Sequence, residues 1–250
     1  MRARLVPLLS LLVAACGGTA PADAPASETT AGGEEIIAVL QEDPSLSEHE
    51  EDTEPAVLRS TIPVPVPQPA VRRERLSTAL QAVWTRVEEQ VSVRRPAGPE
   101  EETVENVQAW ANGPFYQWVQ ARRRHLEETR ELLVAVPDDP PHERAVALAL
   151  FAYAFEDFGA QIAGAPVPAD IAADDELRSI YVRSLNEATV PVGQRAMELY
   201  ADCQQRLVRL GDDSPWLPWR AYCVQRGQQI IEGYGLAPTP STNDAPQPSP

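Results

Sequence analysis

Between residues 71 and 235 the sequence predicts an all-α domain, six or seven helices in an irregular antiparallel hairpin array or bundle. Apolar residues recur there at steps of three and four, the period of one helix face. Prolines and glycines interrupt these stripes at helix-length intervals, and no stretch shows the two-residue alternation between tight turns that strands require. One run, residues 145–155, is apolar nearly all round, which suits only a helix enclosed by others.

The first helix is expected over residues 71–92, where Leu76, Leu80, Val83, Val87 and Val91 share a face; Arg94-Arg95-Pro96-Ala97-Gly98-Pro99 stops it. A second begins near Glu100 with acids in its first turn and carries Val107 and Trp110 inward. Asn112-Gly113-Pro114 should break it, with Pro114 opening a third helix through Phe115, Trp118, Val119, Leu126 and Leu133. The basic run Arg122-Arg123-Arg124-His125 is followed at i+4 spacing by Glu127 and Glu128, the pattern of surface ion pairing. Asp138-Asp139-Pro140-Pro141 starts the apolar central helix, too short between Arg144 and Glu156 to serve as a membrane span. A helix over residues 173–188 should turn Leu177, Ile180, Tyr181 and Leu185 inward, and Thr189-Val190-Pro191 should separate it from the next, which runs to Leu210. After Gly211 and Asp212-Asp213-Ser214-Pro215, the last helix carries Trp216, Trp219, Cys223 and Ile230 and ends at Gly233 and Gly235.

Cys203 and Cys223 fall on the inner faces of these last two helices, equidistant from a turn centred on position 213. Residues so placed in an antiparallel hairpin sit opposite one another, so a disulfide is expected; two free buried thiols are the alternative. By the loop-closure model such a bridge stabilises by about 3 kcal/mol.

The N-terminus gives an address. Residues 1–15 have a short basic start at Arg2 and Arg4, then an apolar run from Leu5 to Ala15, the order of a secretory signal peptide. The run closes on Val13-Ala14-Ala15-Cys16, which resembles the bacterial lipobox; a bare signal peptide beside an incidental Cys16 is the plainer reading. The resemblance implies cleavage before Cys16, a lipid anchor on its sulfur, and a chain held on a membrane outside the cytoplasm. Gly17, rather than Asp, after the cysteine implies sorting to the outer membrane, facing the periplasm.

Residues 16–70 read as an acidic, proline-rich tether unable to bury enough apolar surface to fold. Pro63, Pro65, Pro67 and Pro69 should make its end a stiff polyproline II spacer. Within it residues 34–41, EEIIAVLQ, form either an apolar clump in a disordered segment or a short docking helix. Residues 236–250 read as a disordered tail.

Net charge is −16, with −10 on residues 17–70 and −7 on residues 71–235. A chain this acidic lacks the footprint of a nucleic-acid binder. All 21 of its positive side chains are Arg, so no mechanism here uses lysine. His49, His125 and His142 stand in unrelated contexts, and His142-Glu143 lacks the second His of a zinc-binding HExxH. No nucleophile elbow, SxxK, phosphate loop or CxxC is present, so neither a metal nor a cofactor is expected. Asp138-Asp139, Asp174-Asp175 and Asp212-Asp213 all precede helices and read as caps rather than glycosidase carboxylates. Trp110, Trp118, Trp216 and Trp219 are the one candidate ligand surface, a sugar- or peptide-binding groove, with core packing as the alternative.

Tyr200-Ala-Asp-Cys203 and Trp219-Arg-Ala-Tyr-Cys223-Val-Gln-Arg226, within residues 177–232, resemble the closing hairpins of tetratricopeptide-like envelope lipoproteins, though without a clear 34-residue period. The resemblance implies a non-enzymatic scaffold or adaptor that binds another envelope protein. A cell-wall carbohydrate- or peptide-binding module or enzyme using the tryptophans is the second expectation.

Overall fold

A computed structural model describes residues 63–236, and within them the chain is helical without strands. Cys16, the lipobox, residues 34–41 and all but the first residue of the expected C-terminal tail lie outside the described residues.

Helix α1 (Thr78–Ser92) starts later than its stripe suggested because Ser77 is its cap, accepting from the Leu80 N–H. The Ser77 N–H is satisfied from far along the chain, by Glu143 Oε1 at 2.9 Å. Arg73–Arg75 upstream form only a 3-10 turn. Thr103 caps α2 (Val104–Trp110) through the Asn106 N–H.

The expected break at Asn112-Gly113-Pro114 is absent. A single π-helical turn, Ala111–Phe115, takes Pro114 into an uninterrupted rod that continues as α3 (Tyr116–Val134). The wider turn accommodates a residue with no N–H to give. Burial explains the continuity: Phe115 stacks between Trp110 (4.5 Å) and Trp118 (5.6 Å), and Trp118 leans on Phe158, so both sides of the turn share one aromatic column.

Helix α4 (Pro141–Ala163) is the centre. Its residues 145–152 are all buried, as the all-round apolar run requires. It packs most extensively on α6, then on α1 and α3. Its start is not capped by Asp139; Pro140 occupies that position, while Asp138 reaches Arg206 at 2.7 Å.

After a four-residue turn of helix, α5 (Ala169–Ala172), comes α6 (Asp175–Leu207), capped by Asp174 on the Glu176 and Leu177 N–H groups. Here two helices were expected and one is found, with Pro191 inside it. Leu185, Thr189, Val192, Ala196, Leu199, Cys203 and Leu207 are all buried and step by three and four straight across the proline. Burying that continuous stripe against α4 outweighs the lost hydrogen bond. Leu177 and Ile180, expected inward, are exposed on the first turns of α6.

Helix α7 (Leu217–Tyr234) returns antiparallel to α6 and ends at Gly235, in the left-handed conformation (φ 60°) that favours glycine. Its Tyr234 explains two further glycines: a Cβ on Gly193 would stand 2.8 Å from the tyrosine ring, and one on Gly159 3.0 Å from its hydroxyl. At Gly193 a side chain would force the Tyr234 ring to shift, and at Gly159 it would press on the hydroxyl.

Cys203 and Cys223 are bonded across the α6–α7 hairpin, buried, with Cα atoms 6.3 Å apart. The bridge closes a loop of 20 residues, so its loss in C203S/C223S should destabilise by about 3 kcal/mol. Thermal melting of that variant should show a midpoint roughly 6–12 °C lower, with helix content retained.

Candidate binding site

The four tryptophans do not line an open groove. Trp110, Trp118, Trp216 and Trp219 are exposed by 7, 6, 5 and 0 %, and they are dispersed. Trp110 and Trp118 belong to the α2–α3 aromatic column; Trp216 stacks on His142 at 4.6 Å; Trp219 meets Trp84 edge-on at 5.6 Å. The alternative reading as packing is the one observed.

What the fold assembles instead is a seat for the proline-rich segment. In this run every second residue is a proline with no N–H, so its carbonyls dominate its hydrogen-bonding capacity. Trp219 and Tyr222, three residues apart on α7, supply two donors on one helix face. The Tyr222 hydroxyl donates to the Val64 carbonyl at 2.8 Å, and Trp219 Nε1 donates to the Gln68 carbonyl at 3.1 Å. The segment therefore crosses α7 antiparallel to it, and Val66 and Ala70 pack against the core. Residues 63–70, read from sequence as the end of a spacer over residues 16–70, thus rest against the helices of the domain expected from Val71.

Beside this strap lies a cavity of about 1010 Å³, walled by Val66 and Pro69 on one side, Trp84 and Val87 of α1 on another, and floored by Leu150 and Tyr153 of α4. At its rim Arg73 bridges to both oxygens of Glu88 (2.9 and 2.8 Å) while its guanidinium lies 5.3 Å above the Trp84 ring. Burial pushes the Tyr153 hydroxyl's pKa up, so it stays a neutral donor and acceptor.

Behind the seat, α4 carries two adjacent buried carboxylates. Asp157 receives Arg122 of α3 at 2.5 Å and Gln161 at 2.7 Å, with Arg94 at 3.4 Å. Arg122 is wholly buried and also donates to the Gln90 carbonyl of α1. Burial lowers the pKa of its guanidinium, and Asp157 opposes that. Glu156 points the other way, where Arg226 of α7 holds its Oε1 at 3.2 and 2.9 Å. Burial raises the Glu156 pKa to about 7, against Arg226 and the Tyr200 hydroxyl, which hold it down. Tyr200 in turn stands 3.4 Å from Tyr222, hydroxyl to hydroxyl, and burial raises both phenols. Glu156, Arg226, Tyr200 and Tyr222 thus form a buried polar cluster, which Tyr222 joins to the main chain of the strap. Its phenols stay protonated and act as hydrogen-bonding groups.

The basic run at 122–125 behaves differently from its surface reading. Glu127 pairs with Arg130 and Glu128 with Arg86 of α1, rather than with the arginines four residues before them. Arg122 had a legible signal: it sits on the stripe of Phe115, Trp118, Val119, Leu126 and Leu133. Arg226 sits likewise between Trp219, Cys223 and Ile230. A charge on a buried stripe announces a buried partner.

Among the described residues no group of three or more His, Cys, Asp or Glu is placed to hold a metal ion. No family model matches the chain, and comparisons with curated proteins and with solved structures find no match.

Two measurements test this network. R122L leaves the buried Asp157 with only Gln161 and the more exposed Arg94 as partners and should cost about 3 kcal/mol in urea unfolding, whereas R122L/D157L should recover most of that loss. For Glu156 the folded pKa lies above the unfolded one, so the native state binds more protons between pH 4.5 and about 7. Its contribution is complete below pH 4.5 and lost as pH rises through that window. Stability profiles of the native chain and E156Q should therefore differ by a slope confined to that window, on the order of 3 kcal/mol in all.

Proposed function

We propose that this chain is a non-enzymatic lipoprotein, anchored through lipid on Cys16 to the outer membrane, whose helical domain faces the periplasm as an adaptor for another envelope protein. The observation that carries the proposal is Val13-Ala14-Ala15-Cys16 at the end of a short apolar run behind two arginines. The bridge between Cys203 and Cys223 supports an oxidising compartment, since cytosolic proteins rarely keep structural disulfides. The α6–α7 hairpin, with Tyr200, Cys203, Trp219 and Cys223, supports likeness to the closing hairpins of tetratricopeptide-like envelope lipoproteins. Partner binding is assigned to the cavity and strap where the tether enters the domain, because a cavity with an apolar floor and a few polar groups at its rim is where ligands bind. With the tryptophans dispersed and buried, no observation favours the carbohydrate-binding alternative.

Metabolic labelling with palmitate tests the anchor. Label should enter the native chain and be absent from C16S, which should leave the membrane fraction and appear in the aqueous phase of a detergent partition. Several acyl chains make the stable anchor, so the shift should be near complete. A native chain that stays unlabelled and soluble overturns the proposal.

A further inference from the structure

The strap is lightly held over a surface that is deeply buried. None of residues 63–75 is buried, yet the rings beneath and beside them, Trp84, Trp219 and Tyr222, are exposed by 6, 0 and 7 %. Lifting the strap would uncover aromatic surface and deprive Trp219 Nε1 of its acceptor, an unfavourable state unless something replaces it. A replacement must bring main-chain carbonyls four residues apart, as Val64 and Gln68 do. It must be extended, and it must carry few N–H groups, because the seat uses the carbonyls alone at both contacts. An alternating proline segment meets all three demands, and its preformed extended backbone loses little entropy on binding.

We infer that the Trp219–Tyr222 edge of α7, with Trp84 of α1, is a docking site for an extended proline-rich segment of a partner protein, and that residues 63–69 are its resident, displaceable occupant. The inference rests on the adaptor reading and supplies the partner's chemistry. The resident strap competes at the high effective concentration of a short intramolecular connection, so the partner's apparent affinity is reduced by the fraction of time the strap is open. Recognition through carbonyls and proline rings tolerates variation in the residues between, so the partner needs alternating prolines rather than this particular sequence.

The test titrates the purified full chain with a labelled peptide of residues 61–70, TIPVPVPQPA, beside the same peptide with every proline replaced by alanine. P65S/P67S, which weakens the strap, should bind the proline peptide at least about tenfold more tightly than the native chain. Adding Y222F to that variant should weaken binding about fivefold, the equivalent of one hydrogen bond. Absence of saturable binding by P65S/P67S at about millimolar peptide, or equal binding of the alanine peptide, overturns the inference. Should P65S/P67S lose its helical signal, magnetic resonance of the native chain decides: excess peptide should move the Val66 and Gln68 amide resonances to their unbound positions, and unmoved resonances overturn it. Dimers of P65S/P67S that form without peptide and refuse it would give the site to a second copy, again overturning it. None of these readouts depends on acylation of Cys16, so the anchor stands or falls separately.

Discussion

A helix with no polar face is stable in water only if other elements cover it on every side, and α4 imposes that condition on this domain. Residues 145–152 are buried without exception. The alanines among them let neighbouring backbones come close, and the larger side chains fill the space between. Helices α1, α3 and α6 are arranged around α4 because its apolar surface has nowhere else to go. That one constraint also accounts for two departures from local preference. The α2–α3 rod and α6 both run through a proline, since breaking either would expose part of the surface α4 needs covered.

The end of α4 changes character. Glu156 and Asp157 are adjacent in sequence, so on a helix they point in directions about 100° apart. One faces α7 and meets Arg226; the other faces α3 and meets Arg122. Buried ion pairs of this kind add little net stability over an apolar replacement, but leaving one member unpaired is severe. Their effect is on geometry: only one rotation of α3 and one of α7 about α4 satisfies both carboxylates. The hydroxyls of Tyr200 and Tyr222 lead from that interior to the strap, where Tyr222 holds the Val64 carbonyl.

The strap also extends the set of residues held by the helices. Residues 63–70 rest on Trp219 and Tyr222 beside the cavity, fixed by two hydrogen bonds to their main chain.

Much of this was legible from composition and period. Stripes such as Leu76–Leu80–Val83–Val87 reveal a helix and its inward face because burial of one side repeats every 3.6 residues whatever the partner is. Cys203 and Cys223 were legible as a pair because a hairpin's symmetry about its turn is a local property. The positions that resisted were those whose outcome is decided by groups distant in the chain. Pro114 and Pro191 read as breaks because their cost is local, whereas the burial that outweighs it is not. Arg122 read as surface because its charge is visible and Asp157, thirty-five residues away, is not. The prolines from 63 to 69 read as solvated because nothing near them in sequence reveals donors more than 150 residues later. The sequence alone determined the all-α class, the inward faces of most helices though not of the first turns of α6, and the cysteine pairing, each from short-range pattern. Tertiary structure alone decided which charges go inside, which prolines a helix absorbs and where the strap rests, because each depends on a partner brought near only by folding.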